Sequence, residues 1–246
     1  MTIDTFYSSN PIQSWKKILG DSLHYHFGTT NDQGIDIMEY TITNLYRFIE
    51  PHSKILDCGC GWGAPALQLR KDLECDIMGV TISTSQYNYI KKCVKEINVV
   101  YADLHEYKPR VNYDVALFVE SYTHLTNPRQ VLSNLYENVN SLVIRDFVSS
   151  CEHMIPDWNM KIRTKQMFVD DITSSGYEII HFETIKDFYL PAIQYWLNNA
   201  KKLELLEIYG QIEKLIKLCV RAYEMNKRKI DNHYDRICII HAKKMP

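Results

Sequence analysis

The feature that most constrains this chain is a glycine-rich turn between a short strand and a helix. Residues 54–58 form an apolar strand pattern, residues 59–63 read Gly-Cys-Gly-Trp-Gly, and residues 64–73 have helical apolar spacing. Glycine lets the backbone turn sharply and approach a ligand closely. A strand, a glycine-rich turn and a helix in this order are typical of the first crossover in an α/β sheet, where nucleotides bind.

Strand and helix patterns alternate from this turn onwards. Pro128 is placed to begin a helix and Gly176 to end one. The predicted helices are 64–73, 84–97, 128–138 and 165–175, and the predicted strands are 54–58, 75–80, 98–102, 113–119, 142–147, 177–184 and 236–242. This order predicts an α/β fold with a Rossmann-like, seven-stranded, mainly parallel sheet that helices cover on both faces.

Two regions do not follow the alternation. Residues 1–50 indicate helices, at 15–19 and 35–49, around an aromatic turn-like stretch. Residues 187–232 indicate long helices between the last two strands. We therefore predict a single domain, 1–246, in which the N-terminal helices pack with an inserted helical cap.

The charge and the cysteines limit the setting of the protein. The formal net charge is −2, so there is no overall basic field to attract nucleic acid. The sequence has no run of about 18 apolar residues, and residues 1–10 lack the features of a signal peptide. Seven scattered cysteines suit a reducing compartment. We expect a cytoplasmic protein without nucleic-acid or membrane partners, and a homodimer stays open.

The histidines and cysteines near the turn do not indicate a metal. His24 and His26 alternate as two strand-borne ligands would, but the sequence offers no evident third ligand. Cys58 and Cys60 are too close together for zinc-knuckle spacing, so we interpret them as small apolar side chains beside the turn. No metal is predicted.

The spacing of the glycines disfavours a dinucleotide-dependent dehydrogenase. That class has G-x-G-x-x-G and an acidic residue at the end of the second strand, which binds the ribose. This chain has G-x-G-x-G, and its second strand ends in Gly79-Val80-Thr81. Both departures from the dehydrogenase pattern disfavour a nicotinamide cofactor.

The segment Ile55-Leu56-Asp57-Cys58-Gly59-Cys60-Gly61-Trp62-Gly63 resembles the first motif of class I S-adenosylmethionine-dependent methyltransferases. Residues 79–86, Gly-Val-Thr-Ile-Ser-Thr-Ser-Gln, resemble one branch, which includes the cyclopropane-fatty-acid-synthase-like and tocopherol-methyltransferase-like enzymes. That branch has Thr or Ser and Gln in place of the ribose-binding acid. Residues 102–104 and 120–125 resemble its later motifs, so the similarity covers about residues 23–184.

The resemblance implies a cofactor site for S-adenosylmethionine, whose product is S-adenosylhomocysteine. Asp57 and the backbone of the turn would hold the methionine end, and Gln86 would bind the ribose together with Thr81. Asp103 would accept from the adenine amino group. The implied cofactor-binding residues are Tyr25, Asp57, Gly59, Gly61, Thr81, Ile82, Gln86, Asp103, Leu104, Glu120 and Ser121.

The acceptor side is less defined by the resemblance. His124 and Glu120 are the candidate catalytic residues, with His124 as a base that titrates near neutral pH. A histidine in the cavity wall or at the start of the next helix is the alternative, and an amine or carboxylate acceptor needs no base. The candidate substrate-binding residues, which could equally be packing residues, are Tyr122, Tyr189, Tyr195 and Trp196.

Together these features predict methyl transfer to N, O or C of a small-molecule acceptor of natural-product type. Methylation of a short peptide terminus is a second hypothesis. A protein that keeps the cofactor fold without catalysis is a third, although the motif residues are intact. The cap sequence does not identify the acceptor.

Overall fold

The computed structural model describes residues 12–29, 36–155, 159–185, 195–199, 201 and 235–245. Its strands are β1 (Lys54–Cys58), β2 (Asp76–Thr81), β3 (Asn98–Tyr101), β4 (Tyr113–Val119), β5 (Val139–Ser149), β6 (His153–Ile155), β7 (Met160–Thr164), β8 (Tyr177–Ile185) and β9 (Asp235–Lys244). Its helices are α1 (Ile12–Leu19), α2 (Ile37–Thr43), α3 (Ala64–Leu73), α4 (Thr84–Cys93), α5 (Pro128–Tyr136) and α6 (Lys165–Ser174), with 3₁₀ turns at Tyr46–Phe48 and Tyr122–His124.

The central sheet has the predicted α/β arrangement. Its strands lie in the order β3-β2-β1-β4-β5-β9-β8, of which β1 to β5 are parallel and β9 is antiparallel to both neighbours. All seven predicted strands are present, so the predicted sheet is confirmed. Because the parallel strands share one direction, the turns after β1, β2, β3 and β4 meet at one edge.

A short hairpin was missed. Strands β6 and β7 pair with each other, and β7 continues parallel to the end of β5 through Val148 and Ser149. These strands have only three and five residues, and the alternation in the second, Met-Lys-Ile-Arg-Thr, contains just two apolar positions, which is too short a pattern to indicate a strand. In the part of the chain that the structure describes, the sheet therefore has nine strands rather than seven.

Helix ends follow local capping. Asn127 caps α5 by accepting from Gln130 N, with Pro128 in the first turn, as the sequence predicts. Gly176, at φ +90°, follows α6 and confirms the predicted stop. The helix predicted over 35–49 is shorter: α2 spans Ile37–Thr43 and a 3₁₀ turn follows.

Alternate residues of each parallel strand contact helices on opposite faces of the sheet. In β4, Ala116 and Phe118 pack with the side that α5 and α6 cover, whereas Val115 and Leu117 pack with the side of α3 and α4. A third apolar cluster, at the carboxyl edge, joins α1 to the segment 195–199. None of the helices in the described ranges is long and apolar enough to cross a membrane.

The inserted cap lies largely outside the described residues. Residues 195–199 are helical, and Asn199 Nδ2 donates to Ile18 O of α1 at 3.0 Å. Trp196 packs 5.4 Å from the ring of Phe27. This part of the insertion thus contacts the N-terminal segment, and the cap as a whole stays a prediction.

A buried ion pair attaches the N-terminal segment to the sheet. The Arg145 side chain of β5 is fully buried, pairs with Glu120 after β4, and donates to Phe27 O at 2.6 Å. Phe27 N donates to Glu120 Oε1 at 2.8 Å and Oε2 at 3.0 Å. Each charge is hydrogen-bonded, which is the condition under which an ion pair is tolerated in a core.

Removing Arg145 should therefore strongly destabilise the fold. Arg145→Met leaves the Glu120 carboxylate buried without its partner, which typically costs about 3–5 kcal/mol. Arg47→Met is the matched control, because Arg47 pairs with Glu183 through half-exposed side chains and should cost at most about 1 kcal/mol. Urea unfolding of both variants measures the difference. An equal loss of unfolding free energy in the two variants would contradict a special role for the buried pair.

Candidate active site

All the predicted cofactor residues except Asp57 line one cavity of about 260 Å³ at the carboxyl edge of the parallel strands. Each strand supplies the residues that follow it, so side chains far apart in sequence face a common space. The predicted residues that line it are Tyr25, Gly59, Gly61, Thr81, Ile82, Gln86, Asp103, Leu104, Glu120, Ser121 and His124.

The glycine-rich turn leaves room for a ligand at one position and packs tightly at another. A Cβ built on Gly61, at φ +55°, meets nothing within 4 Å, so it would project into the cavity. A Cβ on Gly59 would lie 2.6 Å from Ser121 Cβ. Gly61 thus keeps open the space beside the turn, whereas Gly59 allows the turn to approach the end of β4.

The cysteines of the turn are structural. Cys58 and Cys60 are buried, and burial raises the pKa of both thiols well above their usual range. A Cβ on Gly79 would lie 2.7 Å from Cys60 Sγ, so the absence of a side chain at Gly79 makes room for this thiol. Both cysteines are small apolar packing residues, as the sequence indicates.

Asp57 is the least satisfied polar group of the site. It is 2% exposed and does not line the cavity, and Oδ2 has no hydrogen-bond partner within the described part of the chain. Burial raises the pKa of this carboxyl to about 7. A cationic ligand group near the turn would favour its ionised form. This orphaned oxygen and the open space at Gly61 fit the ammonium-bearing end of S-adenosylmethionine.

Thr81 and Gln86 are bonded to each other. Thr81 Oγ1 donates to Gln86 Oε1 at 2.8 Å and accepts from Ser83 N at 3.1 Å. Ser83 caps α4, whose first turn carries Gln86. This bond holds the oxygen of the Gln86 amide and leaves its NH₂ as the donor for a ligand hydroxyl, which agrees with the predicted contact to the ribose.

Asp103 follows β3 and has a defined orientation. Its Oδ1 accepts from His105 N at 2.9 Å and from His105 Nδ1 at 2.7 Å. Burial acts to raise the pKa of Asp103, but these bonds outweigh it and the pKa is lowered. An ionised Asp103 beside the apolar side chain of Leu104 suits an adenine ring with an exocyclic amine.

Glu120 holds the N-terminal segment on the sheet. It lines the cavity, yet both oxygens accept from Phe27 N and one pairs with Arg145. Burial raises its pKa to about 7, and the Arg145 guanidinium opposes that shift. Two donors, the Phe27 N–H and the Arg145 guanidinium, hold this carboxylate. Glu120 thus anchors the N-terminal segment, and a catalytic role for it stays a prediction.

Ser121 joins the two strands beneath the cavity. Its hydroxyl donates to Cys58 O at the end of β1. Ser121 lines the cavity, but its proton is engaged in this bond. Its main effect is to fix the distance between the glycine-rich turn and the residues after β4.

His124 lies in the 3₁₀ turn after Ser121 and lines the cavity. Nδ1 is 3.3 Å from Asn159 O, and burial lowers the pKa of the ring. A carbonyl only accepts, so Nδ1 carries the proton of the neutral ring and Nε2 holds the lone pair. His124 thus has the protonation pattern that a base requires.

The aromatic candidates occupy different places. Tyr25 lines the cavity, and its ring stacks on Trp196 at 5.8 Å, so Trp196 lies behind Tyr25 in the apolar cluster. Tyr195 is 47% exposed. Tyr122 is fully buried and stacks on Phe168 at 5.1 Å, so the structure does not bring it to the cavity. Tyr189 lies outside the described residues.

The sequence analysis missed several residues of the site, and three of them define its polar contacts. His105 and Asn159 line the cavity, and Arg145 anchors Glu120. His105 follows the Asp103 motif by two positions, a local signal that was available. Arg145 and Asn159 come from β5 and the β6–β7 hairpin, and only the tertiary structure brings them to the site.

Comparisons with known proteins agree with this geometry. Residues 55–141 match the family described as a methyltransferase domain. The chain is 27% identical over 193 residues to the O-methyltransferase cnsE of Penicillium expansum, an alignment that covers 70% of this chain and 68% of that enzyme. It is 29% identical over 126 residues to (S)-tetrahydroprotoberberine N-methyltransferase of Eschscholzia californica, covering 47% of this chain and 36% of that enzyme.

A solved structure extends the agreement in fold to almost the whole chain. The cyclopropane synthase MmaA2 of Mycobacterium tuberculosis superposes with a TM-score of 0.79 over 98% of this chain and 97% of that one. Its sequence identity is 12%, so this likeness concerns the fold alone. The family match over residues 55–141 and the motif residues around one cavity agree with a class I S-adenosylmethionine-dependent methyltransferase. The likeness to the cyclopropane synthase agrees, in fold, with the branch that residues 79–86 resemble.

The histidines on either side of Tyr25 form a buried pair. His24 Nδ1 lies 3.0 Å from His26 Nε2, and both side chains are buried. Burial lowers the pKa of His24 from 6.5 to about 4, although Asp36 opposes the shift. Burial and the charges of His24 and Arg145 lower the pKa of His26 further. When both rings are neutral, one of these two nitrogens donates to the other. Protonating the accepting nitrogen would break this bond and bury a positive charge.

The histidine pair should make stability depend on pH. The unfolded chain binds protons near pH 6.5 and the folded one only near pH 4, so stability is full above pH 6.5 and falls as the pH drops towards 4. His24 alone accounts for about 3 kcal/mol. The control is His24→Asn/His26→Gln, in which amides keep a bond without titrating. Urea unfolding from pH 7 to 4 should show a flatter profile for the double variant, and identical profiles would contradict this assignment.

Proposed function

We propose that the protein transfers the methyl group of S-adenosylmethionine to a small-molecule acceptor. The observation that carries the proposal is the convergence of the residues after β1, β2, β3 and β4 on one cavity, with a void beside Gly61. Below the turn, Oδ2 of buried Asp57 has no partner among the described residues. Both similar enzymes described above are named as O- or N-methyltransferases, which supports the same chemistry here.

The residues of the cavity serve mainly to bind and orient. When bound, the cofactor supplies a methyl group that its sulfonium already activates. Gln86 presents a donor and Asp103 an acceptor in the cavity wall, to which Leu104 and Ile82 add apolar surface. Holding the reactants in line contributes roughly 7–11 kcal/mol in well-oriented systems. Positioning is therefore the main task of this chain.

His124 is the residue we propose as the base when the acceptor is a hydroxyl, a phenol or a carbon acid. The carbonyl of Asn159 fixes its proton on Nδ1, which leaves Nε2 to take a proton from the acceptor. The lowered pKa keeps the ring neutral at physiological pH. An amine acceptor that is already neutral would not require this step.

We further propose that the chain is a single domain in which residues 1–50 and 187–232 cover the acceptor side. The contact of Asn199 with α1 and the packing of Trp196 behind Tyr25 support this placement. Tyr189 and Tyr195 are then candidates for contact with the acceptor. Free cysteines throughout the described residues suit a cytoplasmic enzyme.

The function is tested by methyl transfer from isotopically labelled S-adenosylmethionine into a fractionated extract, read by mass spectrometry. Label in a small molecule, lost in Gly61→Val protein, supports the proposal and gives the mass of the acceptor. Label confined to peptides would transfer the assignment to a peptide terminus. No label with any fraction, despite cofactor binding, would favour a protein that binds the cofactor without catalysis.

Once the acceptor is identified, the variant His124→Asn tests the proposed role of His124 as the base. The amide keeps a donor for Asn159 O but offers no basic nitrogen, so kcat should fall by about 10²- to 10⁴-fold. The affinity for S-adenosylhomocysteine should stay within about twofold, because the bond to Asn159 survives. In wild-type protein, kcat should decline only below pH 6.5, since burial lowers the pKa of His124 from that value. An unchanged kcat would make His124 a wall residue.

A further inference from the structure

His105 is a residue of the cofactor cavity to which neither the motifs nor the similarity assigns a task. It lines the cavity beside Asp103, and its ring and its backbone N–H both donate to the same oxygen, Oδ1 of Asp103. Within the described residues, these bonds leave Oδ2 as the oxygen with lone pairs for a ligand. The Asp103 side chain is 43% exposed, so without these bonds its carboxylate could rotate freely.

The second nitrogen of the imidazole, Nε2, is hydrogen-bonded as well. Nε2 accepts from Asn127 N at 3.2 Å and lies 3.1 Å from the Thr126 hydroxyl. A backbone N–H only donates, so Nε2 must be the unprotonated nitrogen and Nδ1 must carry the proton. The same tautomer satisfies both Asn127 and Asp103. The ring thus links the start of α5 to the carboxylate after β3.

The backbone of His105 is held independently of its ring. Its carbonyl accepts from Gln130 Nε2 and from Asn134 Nδ2, both at 2.8 Å and both on α5. Replacing the imidazole would therefore leave the loop attached to α5. This separation makes the ring testable without loss of the fold.

We propose that His105 is a positioning residue for the cofactor: it locks the Asp103 carboxylate so that Oδ2 faces the exocyclic amine of the adenine. The inference rests on the proposed function, because it requires adenine at Asp103. His105 does not contact the reacting atoms in this account. It acts through Asp103 by fixing an orientation that a ligand would otherwise have to select.

Two ligands and two variants test the inference. Titration calorimetry measures binding of S-adenosylhomocysteine and of its analogue without the 6-amino group to wild-type, His105→Ala and His105→Asn protein. His105→Ala should weaken S-adenosylhomocysteine binding by roughly 10- to 100-fold, the range for losing a hydrogen bond to a charged group. His105→Asn should restore it to within about threefold, since the amide nitrogen takes the place of Nδ1. The analogue should bind all three proteins within about twofold.

The outcomes separate this inference from the function on which it rests. Normal binding of S-adenosylhomocysteine by His105→Ala would overturn the positioning role alone. An equal loss for both ligands would also overturn it, because it would show a general structural effect. If wild-type protein bound neither ligand, the proposed function and this inference would both fall.

Discussion

The buried pair of Glu120 and Arg145 is the interaction on which the site depends. The glycine-rich turn and the sheet supply one wall of the cavity, but Tyr25 belongs to an N-terminal segment that is distant in sequence. The pair binds that segment at Phe27, through one N–H and one carbonyl, and fixes it over the ends of β4 and β5. Burying two charges is costly, and here each has several partners. The same ion pair therefore holds the N-terminal segment on the sheet and places Tyr25 at the cavity.

Around this centre, polar side chains of the cavity bind each other before they bind a ligand. Thr81 donates to Gln86, His105 donates to Asp103, and Asn159 accepts from His124. Each bond fixes which atom is left for the ligand: an amide NH₂, a carboxylate oxygen, an imidazole nitrogen. Asp57 differs, since its Oδ2 lacks such a partner in the described residues. Such preorganisation reduces the ordering that binding would otherwise require.

The sequence predicted the sheet and most of the cavity, because both depend on local patterns. Apolar strands, capped helices and the turn at residues 59–63 are each encoded within about ten residues. Tyr122 and Glu120 show the limit. Both lie in a motif after β4, but whether a side chain enters the core, an ion pair or the cavity depends on Phe168 and Arg145, which the chain brings there from other strands and helices. The β6–β7 hairpin was missed for a similar reason. The pairing of β7 with the end of β5, rather than a local sequence pattern, places the hairpin in the sheet.

The central claim is that the space beside Gly61 is the cofactor site, and direct binding tests it. Titration calorimetry with S-adenosylhomocysteine should show one site in wild-type protein and no binding in Gly61→Val, because the added side chain would occupy the cavity where nothing now lies within 4 Å. Near-ultraviolet circular dichroism should show that the variant keeps its packed core, although a branched residue at φ +55° costs about 1–2 kcal/mol. Equal affinity in a folded Gly61→Val protein would contradict the account, since the ligand would then bind elsewhere.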